Sequence, residues 1–233
     1  MFSTEQKLQY FSYDTKRFDF ESIFRTHLMD AIGSPNPEDL HQYIPANHMP
    51  AGPVEGTAQH YGHEILYAMD PAFKQAGHVP TRDFGFVTLY RDFMRHLQDD
   101  VIGEPIVFQR LPSLRIHYPG HTAGGIMHRD ADFNHPTQEV NVWLPITRAQ
   151  GTASMLIESD INKADYAPVE LPYGGYIIFD SALMHGNTVN DAGYTRVSFD
   201  MRFIPRNRYK DHGGKFSMTA GRQFAIGDYY DTF

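Results

Sequence analysis

The sequence predicts a mainly β protein with flanking helices, a sandwich or jelly roll of short strands with helices over its apolar face. Three observations carry this. The hydrophobic period changes from helical to alternating after Pro105. Beyond that point, eight short strand candidates follow within about a hundred residues, each set off by turn residues. Two of these strands divide into one apolar and one polar face, and an apolar sheet face needs a covering layer.

The elements follow in order. DFESIFRTHLMDAIG starts at Asp19, an N-cap type, and stops at Gly33, a C′ type, so it reads as a helix. Residues 34–56 carry too much proline for one regular element. From Asp83, FGFVTLYRDFMRHLQDDV puts Phe86, Tyr90, Phe93, Leu97 and Val101 on one helical stripe that should pack on the core. The strand candidates are SLRIHY, GIMHRD, EVNVWLPI, ASMLIE, VEL, YIIF, MHGNTV and TRVSFDMRF, with turn signals YPG, QG, YGG and NDAG between them. In TRVSFDMRF, Val197, Phe199, Met201 and Phe203 share one face, opposite Arg196, Ser198, Asp200 and Arg202. In EVNVWLPI, Val140, Val142, Leu144 and Ile146 lie opposite Asn141 and Trp143. The polar face either meets water or lines a cavity, and periodicity does not choose.

At 233 residues one domain is expected: a helical part (1–104), a β core (105–206) and a C-terminal extension (207–233). An apolar fraction of 41% supports a sizeable core. A formal charge of −8 argues against a nucleic-acid partner, because polyanions require a basic surface. No leader-like or membrane-spanning stretch is visible, so a cytoplasmic protein is expected. Without cysteine, any metal must be held by nitrogen and oxygen ligands. Oligomeric state is not legible.

The stretch MHRDADFNH, residues 127–135, concentrates the chemistry. His128 and Asp130 sit two apart, the repeat that would put both on one face of a strand. Chance alone supplies roughly one His-x-Asp in a chain of this composition, so the weight lies in the residues downstream. His185 falls on the seventh strand candidate, and Arg196 and Ser198 share a face of the eighth. Two imidazoles and a carboxylate on one face of Fe(II) leave positions for a 2-oxo acid and O₂. The far carboxylate of 2-oxoglutarate needs a permanently charged fork, which arginine supplies, and a serine can add a hydrogen bond.

The pattern His-x-Asp…His…Arg-x-Ser, on His128, Asp130, His185, Arg196 and Ser198, resembles the Fe(II)/2-oxoglutarate-dependent oxygenase superfamily. YPGHTAGGIMHRD is similar to the segment before the first ligands of prolyl-hydroxylase-type enzymes. The run from EVNVWLPIT to FDSALMHGNTVNDAGYTRVSFDMRFIP resembles streptomycin-biosynthesis-type hydroxylases. The resemblance covers about residues 105–206. It implies a double-stranded β-helix (jelly-roll) core, with His128, Asp130 and His185 as iron ligands and Arg196 and Ser198 on the cosubstrate. It also implies oxidation of a small-molecule substrate by O₂, with 2-oxoglutarate decarboxylated to succinate and CO₂. Related radical halogenases carry Gly or Ala in place of the carboxylate; with Asp130 present, oxygen transfer is expected.

Around these residues, Asn141 is a candidate for the cosubstrate and Trp143 for a pocket wall. Tyr118 matches a prolyl-hydroxylase-type position near 2-oxoglutarate, yet it falls in register with the apolar Leu114 and Ile116. Arg115 and His117 occupy the other register, and Arg115 is taken as a substrate contact. Asp132 and His135 fall on an expected loop, either touching substrate or solvated. His121 lacks the flanking pattern of a structural zinc site. A non-catalytic jelly-roll binding module is the reading from another class. Residues 34–80 and the C-terminal tail are the places to expect a lid.

Overall fold

The computed structural model describes residues 2–3, 5–25, 36–43, 85–123, 127–217 and 221–233. The expected helix end at Gly33, the proline-rich stretch 44–56, Asp83 and the remainder of a lid at 44–80 lie outside the described residues.

Twelve strands build the described fold: β1 (Leu8–Ser12), β2 (Ile106–Gln109), β3 (Ser113–His117), β4 (Val140–Pro145), β5 (Leu156–Ile157) and β6 (Ala167–Pro168), then β7 (Gly175–Asp180), β8 (His185–Gly186), β9 (Arg196–Pro205), β10 (Phe216–Ser217), β11 (Arg222–Gln223) and β12 (Tyr230–Asp231). The main antiparallel sheet runs β1-β7-β4-β9-β2-β12, and β3 also pairs with β9. A small sheet, β6-β5-β8, faces it. This mostly antiparallel, two-layered arrangement is a jelly-roll core.

Alternation along the strands assigns the layers. Val142 and Leu144 of β4, Tyr176 and Ile178 of β7, and Val197, Phe199, Met201 and Phe203 of β9 enter one apolar cluster. Helices α1 (Phe20–Phe24) and α2 (Phe86–His96) cover it. Asp19 caps α1 as expected, its Oδ1 accepting from the Ser22 amide at 3.0 Å. The stripe Phe86, Tyr90, Phe93, Leu97 and Val101 is buried throughout, at about 1.5–3 kcal/mol for each large apolar side chain removed from water. α2 runs on through a π-helical turn, Leu97–Ile102, and stops at Gly103, whose φ of 79° suits glycine.

The opposite face of the same strands looks inward. Trp143, Ile177 and Phe179 meet Met155, Ile157, Val169 and Leu183 in a second cluster between the sheets. The polar face of β9 is therefore buried rather than washed by water: Arg196, Ser198 and Arg202 are all buried.

Several expected strands are shorter than read. Of GIMHRD, the described residues 127–130 contribute a bridge at His128, paired with His185. MHGNTV reduces to His185–Gly186 and ASMLIE to Leu156–Ile157, while Ala167–Pro168 pairs where VEL was expected. The C-terminal tail, expected as a possible lid, is part of the sheet. Tyr230 pairs with Gln109, Arg91 forms an ion pair with Asp231, and the Arg95 guanidinium lies 4.1 Å from the Phe233 ring. Among the described residues, no helix is long and apolar enough to cross a membrane.

Candidate metal centre

The two halves of the centre arrive on different elements. His128 and His185 exchange backbone hydrogen bonds, N to O at 2.9 and 3.0 Å, which seats their rings side by side. Asp130 does not extend this bridge as a strand residue. It opens a 3-10 turn, Asp130–Phe133, that Asn134 closes at φ 67°. The turn, not a period of two, swings the carboxylate towards both imidazoles. Asp130 Oδ1 lies 3.7 Å from His128 Nε2 and 3.6 Å from His185 Nε2. The three donor atoms fall within 4.8 Å of one another.

The protonation states suit a divalent cation. Burial alone would push the Asp130 carboxyl up. Arg202, His185 and His135 together outweigh it and hold the group well below the usual carboxylate range. Burial lowers His185, against the raising effect of Asp130, so the ring is neutral. Its Nδ1 lies 2.9 Å from the Leu183 carbonyl, which places the proton there and leaves the Nε2 lone pair facing Asp130. Two imidazole nitrogens and one ionised oxygen, with open space beside them, fit an octahedral first-row ion such as Fe(II).

The far oxygen of Asp130 is held by the protein. Oδ2 accepts from Asn141 Nδ2 at 2.8 Å and from Arg202 Nε at 3.1 Å. Behind Arg202, Glu139 Oε2 lies 3.6 Å from its Nε and 2.7 Å from His135 Nδ1, and Tyr230 donates to Glu139 Oε1 at 2.5 Å. This buried network anchors the carboxylate ligand, as partners behind metal ligands do.

A cavity opens beside the triad, lined among others by Arg115, His128, Asn141, Trp143, His185 and Arg196. Arg196 is 1% exposed and forms no ion pair among the described residues. Its Nε donates to the Ala153 carbonyl at 3.0 Å, Nη1 to Ser198 Oγ at 2.6 Å and Nη2 to Asn187 Oδ1 at 2.8 Å, and the guanidinium carbon lies 5.4 Å from the Trp143 ring. Burial lowers its pKa to about 10. It remains a cation at neutral pH, hydrogen-bonded to neutral groups, with the paired charges of Asp200 and Arg115 acting on it with opposite signs. Ser198 Oγ also accepts from Trp143 Nε1 at 3.1 Å, which leaves its own proton to donate elsewhere.

The structure therefore brings His128, His185, Arg196, Asn141, Trp143 and Arg115 around one cavity, with Asp130 against the two imidazoles and Ser198 bonded to Arg196. Asn141 lines the cavity and donates one amide N–H to Asp130. Two expectations are corrected. Tyr118 lies in the helix-covered apolar cluster with Leu114 and Ile116, away from the cavity lining, as its register implies. His135 is buried against Glu139 instead of sitting on a solvated loop, while Asp132 Oδ2 accepts the Arg129 amide at 2.9 Å. Arg115 lines the cavity, with Nε 2.8 Å from Asp200 Oδ2. Sequence reasoning missed Arg202 as the partner of Asp130, although it shares a face with Arg196 and Ser198. It also missed Asn187, Glu139 and Tyr230, which carry no local signal.

The chain is thus a mostly antiparallel jelly roll with a His-Asp-His cluster beside a cavity and a buried arginine on its last long strand. No protein-family model matches the chain. The chain is 39% identical over 145 residues to the streptomycin biosynthesis protein StrG of Streptomyces griseus, a match spanning 62% of this chain and 68% of that protein. It belongs to the family of that protein. Among solved structures, EvdMO1 is 16% identical with a TM-score of 0.48, over 86% of this chain and 48% of its own. The non-heme monooxygenase ThoJ, in a nickel complex, is 15% identical with a TM-score of 0.46, over 86% and 74%. A Trichoplax adhaerens prolyl hydroxylase, in complex with a hypoxia inducible factor peptide, is 10% identical with a TM-score of 0.43, over 87% and 85%.

Proposed function

We propose that the protein is an Fe(II)- and 2-oxoglutarate-dependent dioxygenase that hydroxylates an unactivated C–H bond of a small polar metabolite. The observation that carries this reading is Arg196. A buried guanidinium without an anion is costly, and here it shares a cavity with two imidazoles and a carboxylate. A ligand carrying two carboxylates, one for the metal and one for Arg196, answers both demands.

On this reading His128, Asp130 and His185 hold the iron. Ferrous iron bound there supplies O₂ activation, coupled to decarboxylation of 2-oxoglutarate to succinate and CO₂. The chain's own residues do the rest. Arg196 binds the far carboxylate through its guanidinium, the Ser198 hydroxyl donates to the same group, and Trp143 orients both. Met155, Phe179 and Trp143 keep water from the reacting end of the cavity. Asn141 and Arg202 keep one oxygen of Asp130 occupied, so the other is presented to the metal. Arg115 and Asp200, paired on the cavity wall, are the polar groups available to substrate. The relative's part in streptomycin biosynthesis supports a sugar, aminocyclitol or related secondary-metabolite precursor.

The test is anaerobic addition of Fe(II) and 2-oxoglutarate, read by the weak visible charge-transfer band, then admission of air and assay of succinate. Folded, iron-loaded protein that yields neither would reject the proposal. Substrate-stimulated O₂ uptake across sugars, aminocyclitols and free amino acids then identifies the substrate class.

A further inference from the structure

The metal ligands come from two segments held together by little backbone pairing. His185 lies on a strand of two residues, and its bond to His128 is an isolated bridge. Beyond that, the Asp130 amide reaches Ser181 O at 3.3 Å. A contact this short does not fix two imidazoles without support.

Two charged side chains outside the cavity supply it. Arg129, between the ligands His128 and Asp130, sends Nε to the Ala182 carbonyl at 2.9 Å and Nη2 to Asn162 Oδ1 at 2.9 Å, with Glu158 Oε1 at 3.6 Å. Glu158 follows Ile157, the residue paired with His185 in the small sheet. Its Oε1 accepts from the Met184 amide at 2.7 Å and its Oε2 from the Ala164 amide at 3.2 Å, while its own amide donates to Met184 O at 3.0 Å. Met184 is thereby gripped on both backbone groups, one residue before the ligand His185.

The loop that wraps Glu158 is built at a cost. Asn162 and Ala164 adopt φ values of 65° and 54°, a conformation that disfavours residues with a Cβ by about 1–2 kcal/mol. Their amides face the Glu158 carboxylate. Burial alone would raise that carboxyl, but the amides of Met184, Ala164 and Asn162 bring it below its ordinary value. Backbone strain spent on one buried carboxylate points to a positional task.

We propose that Arg129 and Glu158 are positioning residues, a clamp that sets the His128–Asp130 segment against the Met184–His185 segment before any ion binds. This rests on the metal-site reading above.

The test is Mn(II) binding to the full chain, read from the signal of free Mn(II), together with amide hydrogen exchange at His128 and His185 without metal. Arg129→Ala and Glu158→Gln should each weaken Mn(II) binding about tenfold, the lower range for groups that support metal ligands, and should speed exchange at both amides. The double variant should fall well short of a hundredfold loss, because both changes open one clamp. Arg129→Lys, which reaches only one of the two acceptors, should recover part of the loss. A pure charge effect would act oppositely in the two single variants, one removing a cation and the other an anion. Opposite shifts would therefore overturn the clamp. So would wild-type Mn(II) affinity and exchange in a folded Arg129→Ala protein, whose partly exposed side chain makes it the safer variant for folding. Wild-type protein that takes up no Mn(II) would overturn the metal site itself, and the clamp with it.

Discussion

Replacing Arg196 by methionine should separate two effects of one side chain. In the metal-free protein the buried cation is a burden: a pKa lowered to about 10 corresponds to roughly 3 kcal/mol at 1.4 kcal/mol per pH unit. Set against this are the hydrogen bonds to Ala153, Ser198 and Asn187, worth about 1 kcal/mol or more each. The two sums nearly cancel, so the melting temperature of Arg196→Met should stay within about 5 °C of wild type. Cosubstrate affinity has no such compensation. A bidentate carboxylate loses two charge-assisted hydrogen bonds at about 1.5–3 kcal/mol each. Taking the low end, about 3 kcal/mol, the dissociation constant of 2-oxoglutarate should rise about a hundredfold. Isothermal titration of 2-oxoglutarate into the Mn(II)-loaded proteins measures this directly. A folded Arg196→Met protein that binds 2-oxoglutarate within threefold of wild type would refute the assignment of Arg196 as the carboxylate anchor.

Other consequences are open to measurement. Asp130→Asn should abolish Mn(II) binding and, by leaving Arg202 without its nearest counter-charge, lower stability by about 3 kcal/mol in urea denaturation. Tyr230→Phe removes the donor to the buried Glu139 Oε1 and should cost about 1–3 kcal/mol in the same assay. His117 is kept neutral by burial and then by Arg196, its pKa lowered to about 3. The unfolded chain therefore binds a proton that the fold refuses, and stability falls as pH drops from about 6.5 towards 3. His117→Asn should reduce the loss between pH 7 and pH 4.5 by about 2–3 kcal/mol, read from denaturant midpoints at the two pH values.

What was legible in the sequence came from periodicity and chemical type. Alternation in TRVSFDMRF and EVNVWLPI placed Val197, Phe199, Met201 and Phe203 in the core, and set Arg196 and Ser198 opposite them. The stripe on α2 was readable because five residues share one helical face. Asp130 was named from the pattern, but not how it is aimed: a 3-10 turn swings its carboxylate, and a two-residue spacing looks the same in a strand. The assembly of Glu139, Tyr230 and Arg202 depends on chain segments distant in sequence, which no local pattern encodes. Likewise, no local pattern marks Arg129 and Glu158, which the fold brings 3.6 Å apart, one on the Ala182 carbonyl and the other on the Met184 amide. Tyr118 carried a conflict between a family position and its own register, and register prevailed.

In β4 and β9, Asn141 stands opposite Arg202 and Trp143 opposite Asp200, while Val142 faces Met201 and Leu144 faces Phe199. Sliding β9 past β4 by a single residue would turn over every side chain of β9 together. Greasy residues would then crowd the cavity, and guanidinium groups would be driven into the oily layer under the helices. A chain that shuffles into the wrong alignment thus has no half-working version of itself. Quality control of the scaffold and assembly of the chemistry are one event.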